Sequence, residues 1–177
     1  MPGNYQLVYD VSMPVSDTSA FALLRTFGVL EFTLKARPGF LAASGNPSVN
    51  QRVKAKVDWP ALDRAVVALH PADFLDRLSV PTRAKPLGGA RNRPQVQFVQ
   101  VATDGIWSAQ FKESPLPNND AEALVVAMRR VRNNLFHGGK EDPLQEQFPG
   151  DDEEWTVAAL EVADLLMDLL DRWVLNP

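Results

Sequence analysis

The chain holds two histidines and no cysteine, so the side chains able to move protons near neutral pH are few. His70 stands before Pro71 at an expected helix end, where a lone His reads as a cap or a surface residue. His137 has a different setting. It closes the run Arg132-Asn133-Asn134-Leu135-Phe136-His137, just ahead of Gly138-Gly139. An imidazole beside a guanidinium suits phosphodiester cleavage in RNA. The 2′-hydroxyl must lose a proton and the 5′-oxygen must gain one, and His serves as base, acid or both. Negative charge gathers on the phosphorane, where a planar guanidinium can hold two oxygens. No step requires a metal, and the chain lacks the His, Cys and Asp-x-Asp patterns that build metal sites.

Spacing alone argues for less. On a straight helix Arg132 and His137 point about 140° apart. The two glycines let the backbone turn away at His137 and bring the ring toward Arg132. An ordinary amphipathic helix with a surface Arg and a capping His accounts for the spacing equally well. Three further residues are candidates to support or bind a substrate: Arg129 and Lys140 from the acid-free basic run 128–140, and Glu31. Glu31 falls at the edge of an apolar stripe, where a carboxylate needs a partner. That partner is Arg132 or another Arg of the same helix; the alternatives are Lys35 at i+4 or solvent. Asn133, polar where better helix formers exist, is placed to reach His137 or a phosphate oxygen.

Four long helical patterns position these residues. The first runs from Asp17 to Lys35, with Leu23, Phe27, Leu30 and Leu34 as its stripe and Arg37-Pro38-Gly39 as its stop. The second region, from Val49 to Val80, is broken by Pro60 and Pro71 into short helices, with Leu62, Val66 and Leu69 on one face. The third starts at Asn119 with Glu122 three residues on, carries Leu124, Met128, Val131 and Leu135, and ends at Gly138-Gly139. The fourth runs from Asp151 to Val174 with Trp155, Ala159, Val162, Leu166, Leu169 and Trp173 in repeat. The acids Asp151 to Glu154 at its start suit the helix dipole and need no metal to explain them. The stretch from Pro81 to Pro94, with Arg83, Lys85, Arg91 and Arg93, reads as an exposed basic loop able to track an RNA backbone, or as a solvated face. Val96–Val101 and Ile106–Phe111 flank Asp104-Gly105 as a β-hairpin. Its Phe98 and Trp107 either stack on bases or anchor the hairpin on the bundle, and anchoring is favoured for Trp107. The expected architecture is one mainly all-α domain over 1–177 with a loop-and-hairpin insertion at about 81–117.

The run from Val131 to Lys140, and above all Asn-Asn-Leu-Phe-His-Gly-Gly-Lys, resembles the signature of the HEPN superfamily: an Arg, four to six residues, then a His, often with a polar residue straight after the Arg. Arg132, Asn133 and His137 fit it position by position. The last helix, and the first with Glu31 and Lys35, also resemble that family, whereas residues 40–117 do not align with it. The resemblance implies a helical bundle that dimerises so that two motifs face each other. It implies a metal-independent endoribonuclease in which Arg132, His137 and Asn133 are catalytic, with no cofactor, acting as a toxin or phage-defence effector. An antitoxin or nucleotidyltransferase-type protein is then the expected partner besides RNA. Other members are catalytically silent and bind nucleotides, RNA or proteins, which is the alternative. Pairing has a chemical rationale as well: one protomer offers one credible His, and a twofold interface supplies a second. Leu135 and Phe136 are candidates for that interface, with core packing the plainer role for Leu135.

Composition sets the outer bounds. A chain of 177 residues can bury a core without disulfide staples. Residues 1–5 show neither the basic nor the apolar part of a secretory leader, and no segment approaches the roughly 18 apolar residues of a membrane span, so a cytoplasmic protein is expected. The net charge of −4 does not exclude RNA, because seven acids are concentrated in 141–154, away from the basic runs.

Overall fold

A computed structural model of the chain describes residues 15–50, 52–88, 91, 93–103, 105–137 and 151–177, apart from the side chains at 110, 136, 137 and 151. The helix α1 spans Asp17–Lys35, as its stripe predicts. The Ser16 hydroxyl caps it by accepting from the Ser19 N–H at 3.2 Å. Leu23, Phe27, Leu30 and Leu34 are all buried. Each such side chain contributes about 1.5–3 kcal/mol by leaving water. The last long helix, α5 (Asp151–Asp171), lies against α1 and against α4 (Asp120–His137). Together the three helices form the centre of the core, with Leu124, Met128 and Val131 from α4 and Ala159, Val162, Leu166 and Leu169 from α5. The Asn119 side chain accepts from the Glu122 N–H at 3.1 Å, so α4 starts where its capping signal puts it.

The acids at the start of α5 also act as ties. Glu153 accepts hydrogen bonds from the Ser16 N–H and from the hydroxyls of Ser16 and Ser19, which joins the first turns of α1 and α5. Those bonds, led by the one from Ser19, hold its carboxyl below the usual glutamate range. Glu154 pairs with Lys85.

The middle of the chain departs from expectation in three places. Where a helical region was expected from Val49, a small antiparallel pair forms instead: β1 (Leu41–Ala43) against β2 (Ala55–Val57), with Leu41 opposite Val57. Strands of three residues are too short for alternation to reveal. Then α2 (Trp59–Val67) begins under an Asp58 cap with Pro60 in its first turn, and buries Leu62 and Val66. A short turn follows in which His70 Nδ1 accepts from the Ala72 N–H at 3.2 Å, the capping role expected of it.

The second departure is α3 (Val80–Leu87), in a stretch expected to be an exposed loop. Pro81 sits in its first turn, where no N–H is needed. The Ser79 hydroxyl caps it by accepting from the Thr82 N–H at 3.3 Å. Glu161 of α5 accepts from the Ser79 N–H (2.6 Å), the Ser79 hydroxyl (2.7 Å) and the Thr82 hydroxyl, and Thr82 and Pro86 are buried. Tertiary anchoring thus overrides a poor local propensity.

The third concerns two tryptophans. The hairpin forms as expected from β3 (Val96–Val101) and β4 (Trp107–Lys112), with Val101 opposite Trp107. Gly105 takes φ +81° in its turn, a conformation that excludes most side chains. Trp107, however, is 74% exposed and does not anchor the hairpin on the bundle. The hairpin is fastened at its base instead: Arg130 donates to the carbonyls of Ser114 (2.6 Å), Pro115 (2.9 Å) and Pro94 (3.3 Å), and Asn134 Nδ2 donates to the Gln95 carbonyl (3.0 Å). Trp173 continues the repeat of α5 in sequence but lies beyond its end, with φ +59° and 70% exposure. Its ring faces the Arg37 guanidinium at 4.3 Å.

No helix among the described residues is long and apolar enough to cross a membrane.

Candidate functional site

Arg132 lies in the second turn from the end of α4, on the side that meets α1. Its Nη2 is 3.6 Å from Glu31 Oε2, and both side chains are about a quarter exposed, at 25% and 26%. The guanidinium carbon stands 4.9 Å from the centre of the Phe27 ring. Nη1 donates to Asn133 Oδ1 at 3.0 Å. Glu31 and Phe27 are four residues apart on α1, so one helical face offers both a carboxylate and an aromatic platform. An apolar ring below and an acid to one side restrict the guanidinium's rotamers before any ligand arrives.

The pairing of Glu31 with Arg132 was among the sequence expectations. Phe27 as the platform was not, because its place in the buried stripe of α1 already accounted for it. The signal available was its position one turn before Glu31. Asn133 is exposed and contacts Arg132. The backbone of α4 reaches His137, but that residue's side chain lies outside the described residues, as do Phe136's side chain and Lys140.

Arg129, Arg130, Arg83, Lys85 and Arg91 are engaged within the fold. Arg129 makes a two-point contact with Asp63 of α2, Nη2 lying 3.0 and 2.9 Å from the two carboxylate oxygens, and its guanidinium carbon is 5.1 Å from the Trp59 ring centre. Both partners are largely buried, at 18% and 16% exposure. Burial pushes the Asp63 carboxyl above the usual aspartate value, and Arg129 pulls against that shift. Arg130 is occupied with the hairpin's base, and burial followed by Arg129 lowers its pKa. In the run once read as a basic loop, Arg83 pairs with Asp76 at 3.3 Å, Lys85 with Glu154, and Arg91 with Asp120. Lys85 also lies over the Trp155 ring at 5.6 Å. Leu135 packs, partly buried, against the core, the plainer of its two roles.

Among the described residues, no group of three or more His, Cys, Asp or Glu side chains is placed to hold a metal ion. Comparison of the chain with family models, with curated proteins and with solved structures returns no match. The described fold is therefore characterised by its own architecture: a mainly helical bundle of α1, α4 and α5, flanked by α2 and α3, with two small antiparallel sheets.

Proposed function

We propose that the chain is a metal-independent endoribonuclease of the HEPN type, working as a homodimer in the cytoplasm as a toxin or phage-defence effector, alongside an antitoxin or nucleotidyltransferase-type protein. One observation carries this reading. The arginine of the motif is the one held by a carboxylate and an aromatic ring of α1, with the motif's polar residue bonded to it. Glu31 lies 3.6 Å from the guanidinium, beyond good hydrogen-bond distance, so a charged phosphate that takes two guanidinium hydrogen bonds in better geometry can compete with it.

The reaction follows from RNA's own chemistry. A base removes the proton of the 2′-hydroxyl, and the resulting oxygen forms a bond to phosphorus. The bond from phosphorus to the 5′-oxygen breaks, and that oxygen takes a proton from an acid. His137 fills one of these roles and the His137 of a second copy the other. Arg132 stabilises the charge on the phosphorane, a contribution of about 10²–10³-fold in systems of this kind. The products carry a 2′,3′-cyclic phosphate and a 5′-hydroxyl.

The test is RNA cleavage by purified protein with EDTA present throughout. His137→Ala and Arg132→Ala should each abolish cleavage while circular dichroism stays unchanged. If either variant cleaves like the parent, or if the product ends in a 5′-phosphate, the reading fails.

A second reading is a non-catalytic HEPN-like module that binds a nucleotide, RNA or a protein. The observation in its favour is charge pairing: Arg83, Lys85, Arg91, Arg129 and Arg132 each face an acid of the same chain. Intact RNA after incubation with a well-folded wild type would select it.

A further inference from the structure

Helix α1 carries two seams, an apolar one facing inward and a mixed one, with a phenyl ring at each end, facing outward. The inward one, Leu23–Phe27–Leu30–Leu34, is buried in the core. The outward one is Phe21–Arg25–Gly28–Phe32, and every member of it is exposed, Phe21 at 67% and Phe32 at 73%. Its spacing of four, three and four is that of a helix-packing seam, and the four residues fall within about 60° of one another around the helix. The two rings leave large apolar side chains exposed at both ends of the seam.

Gly28 supplies a second, independent observation. Glycine weakens the interior of a helix, and a Cβ added at this position would meet nothing within 4 Å among the described residues. No described side chain packs into that space. A gap there serves a neighbour that comes close.

We infer that the outward seam of α1 is covered by α1 of a second copy, packed antiparallel about a twofold axis. The argument for this occupant is self-complementarity. Read from either end, the spacing is the same. Antiparallel alignment therefore sets Phe21 against the second copy's Phe32 and Arg25 over the notch that Gly28 leaves. At the two ends of the seam the charges are opposite, with Asp17 in the first turn of α1 beside the other copy's Lys35 in the last, while the two Arg25 lie on either side of the twofold, about 4.5 Å apart along the helix axes. A patch that meets itself across a twofold must carry both signs in reciprocal places, and this one does.

The arrangement has a consequence for the candidate site, and that consequence alone rests on the ribonuclease reading. Glu31 flanks the seam. A twofold perpendicular to the plane of the two helices keeps a given residue on the same side in both copies. The two Arg132–Glu31 pairs then lie on one rim of the interface, about 14 Å apart along the helix axes. A single RNA strand laid along that rim meets both.

The interface is tested with the full chain by sedimentation velocity. The wild type is expected to be a dimer, and Phe21→Glu/Phe32→Glu to show half its mass with unchanged helicity, since both rings are exposed in the protomer, and with a melting temperature that no longer rises with protein concentration. The register is tested by oxidation, because the chain has no cysteine of its own. Phe21→Cys/Phe32→Cys should give a disulfide-linked dimer. The two positions lie about 17 Å apart in one helix, too far to bond within a chain. Either single variant should stay unlinked. A wild type that is monomeric at every concentration to which it dissolves, a double Glu variant that remains dimeric, or a single Cys variant that crosslinks as well as the pair overturns the proposal. A dimer of the expected form that leaves RNA intact overturns the nuclease reading and leaves the interface standing.

Discussion

Arg129 and Arg132 stand one helical turn apart on α4, and each is set between a carboxylate and an aromatic ring. The parts are alike and the tightness is not. Arg129 grips Asp63 by two contacts near 3 Å in a largely buried setting, which cross-links α4 to α2. Arg132 stands 3.6 Å from Glu31, with more of both side chains in solvent. A short two-point pair in a largely buried setting is costly for a ligand to displace. A longer pair holds a guanidinium less tightly to its acid. The same residue types therefore form a tight clasp at one position and a looser pair at the other, and on the ribonuclease reading the looser one meets the phosphate.

Activity breaks this comparison most sharply. Arg132→Ala should lower RNA cleavage by about 10²–10³-fold, while Arg129→Ala, assayed where it is fully folded, should stay within a few-fold of wild type. Equal losses in the two variants would remove the distinction. Stability should separate them in the opposite sense. Arg129→Ala leaves Asp63 buried without its cation and should cost about 1–3 kcal/mol, read as a lower denaturation midpoint. Arg132→Ala should cost under about 1 kcal/mol, because its pair is partly solvated. A smaller effect is expected at Glu31. Glu31→Gln keeps the shape and removes the competing charge, so RNA should bind several-fold more tightly while the rate at saturation falls as the guanidinium loses its fixed orientation. That split between KM and kcat is the readout, since a merely structural Glu31 would move neither.

Much of this was legible before the fold. The stripes of α1, α4 and α5 show because Leu, Phe and Val recur over four or more turns, and Glu31 could be matched to Arg132 because a carboxylate beside such a stripe needs a cation. What stayed hidden depended on residues far apart in the chain. Nothing near Ser79 announces that Glu161 will cap it, so α3 looked like a loop. The run from Arg83 to Arg93 has no acid within it, yet Glu154 and Asp120 pair with its Lys85 and Arg91 from other elements. Trp173 shows the reverse failure: its period is right, but the chain turns to positive φ before the helix reaches it. Local pattern identifies an element's buried face, while the charge that remains on a surface is settled by distant partners.

The most delicate test of the two arginines is their pH dependence. In the wild type, burial raises the Asp63 carboxyl and Arg129 opposes the rise. Removing Arg129 leaves burial unopposed, so the carboxyl climbs further. A group whose pKa is higher in the folded state binds more protons there, and its contribution to stability falls as pH rises through the window between the unfolded and folded values. Above that window the charged, unpartnered Asp63 weakens the fold; below it the neutral acid does so hardly at all. The stability deficit of Arg129→Ala should therefore be greatest near neutral pH and shrink on acidification, by about 1.4 kcal/mol for each unit of added shift. Chemical denaturation of both proteins across that range measures the difference. Measured against Asp63→Asn alone, the double variant Asp63→Asn/Arg129→Ala should show a deficit that no longer changes with pH in this range, because the carboxyl that Arg129 opposes is gone from both proteins. A deficit that is already flat in Arg129→Ala alone would mean that water reaches Asp63 once the guanidinium is gone. The clasp would then be no more closed than the pair at Glu31, and the two sites would differ in degree only.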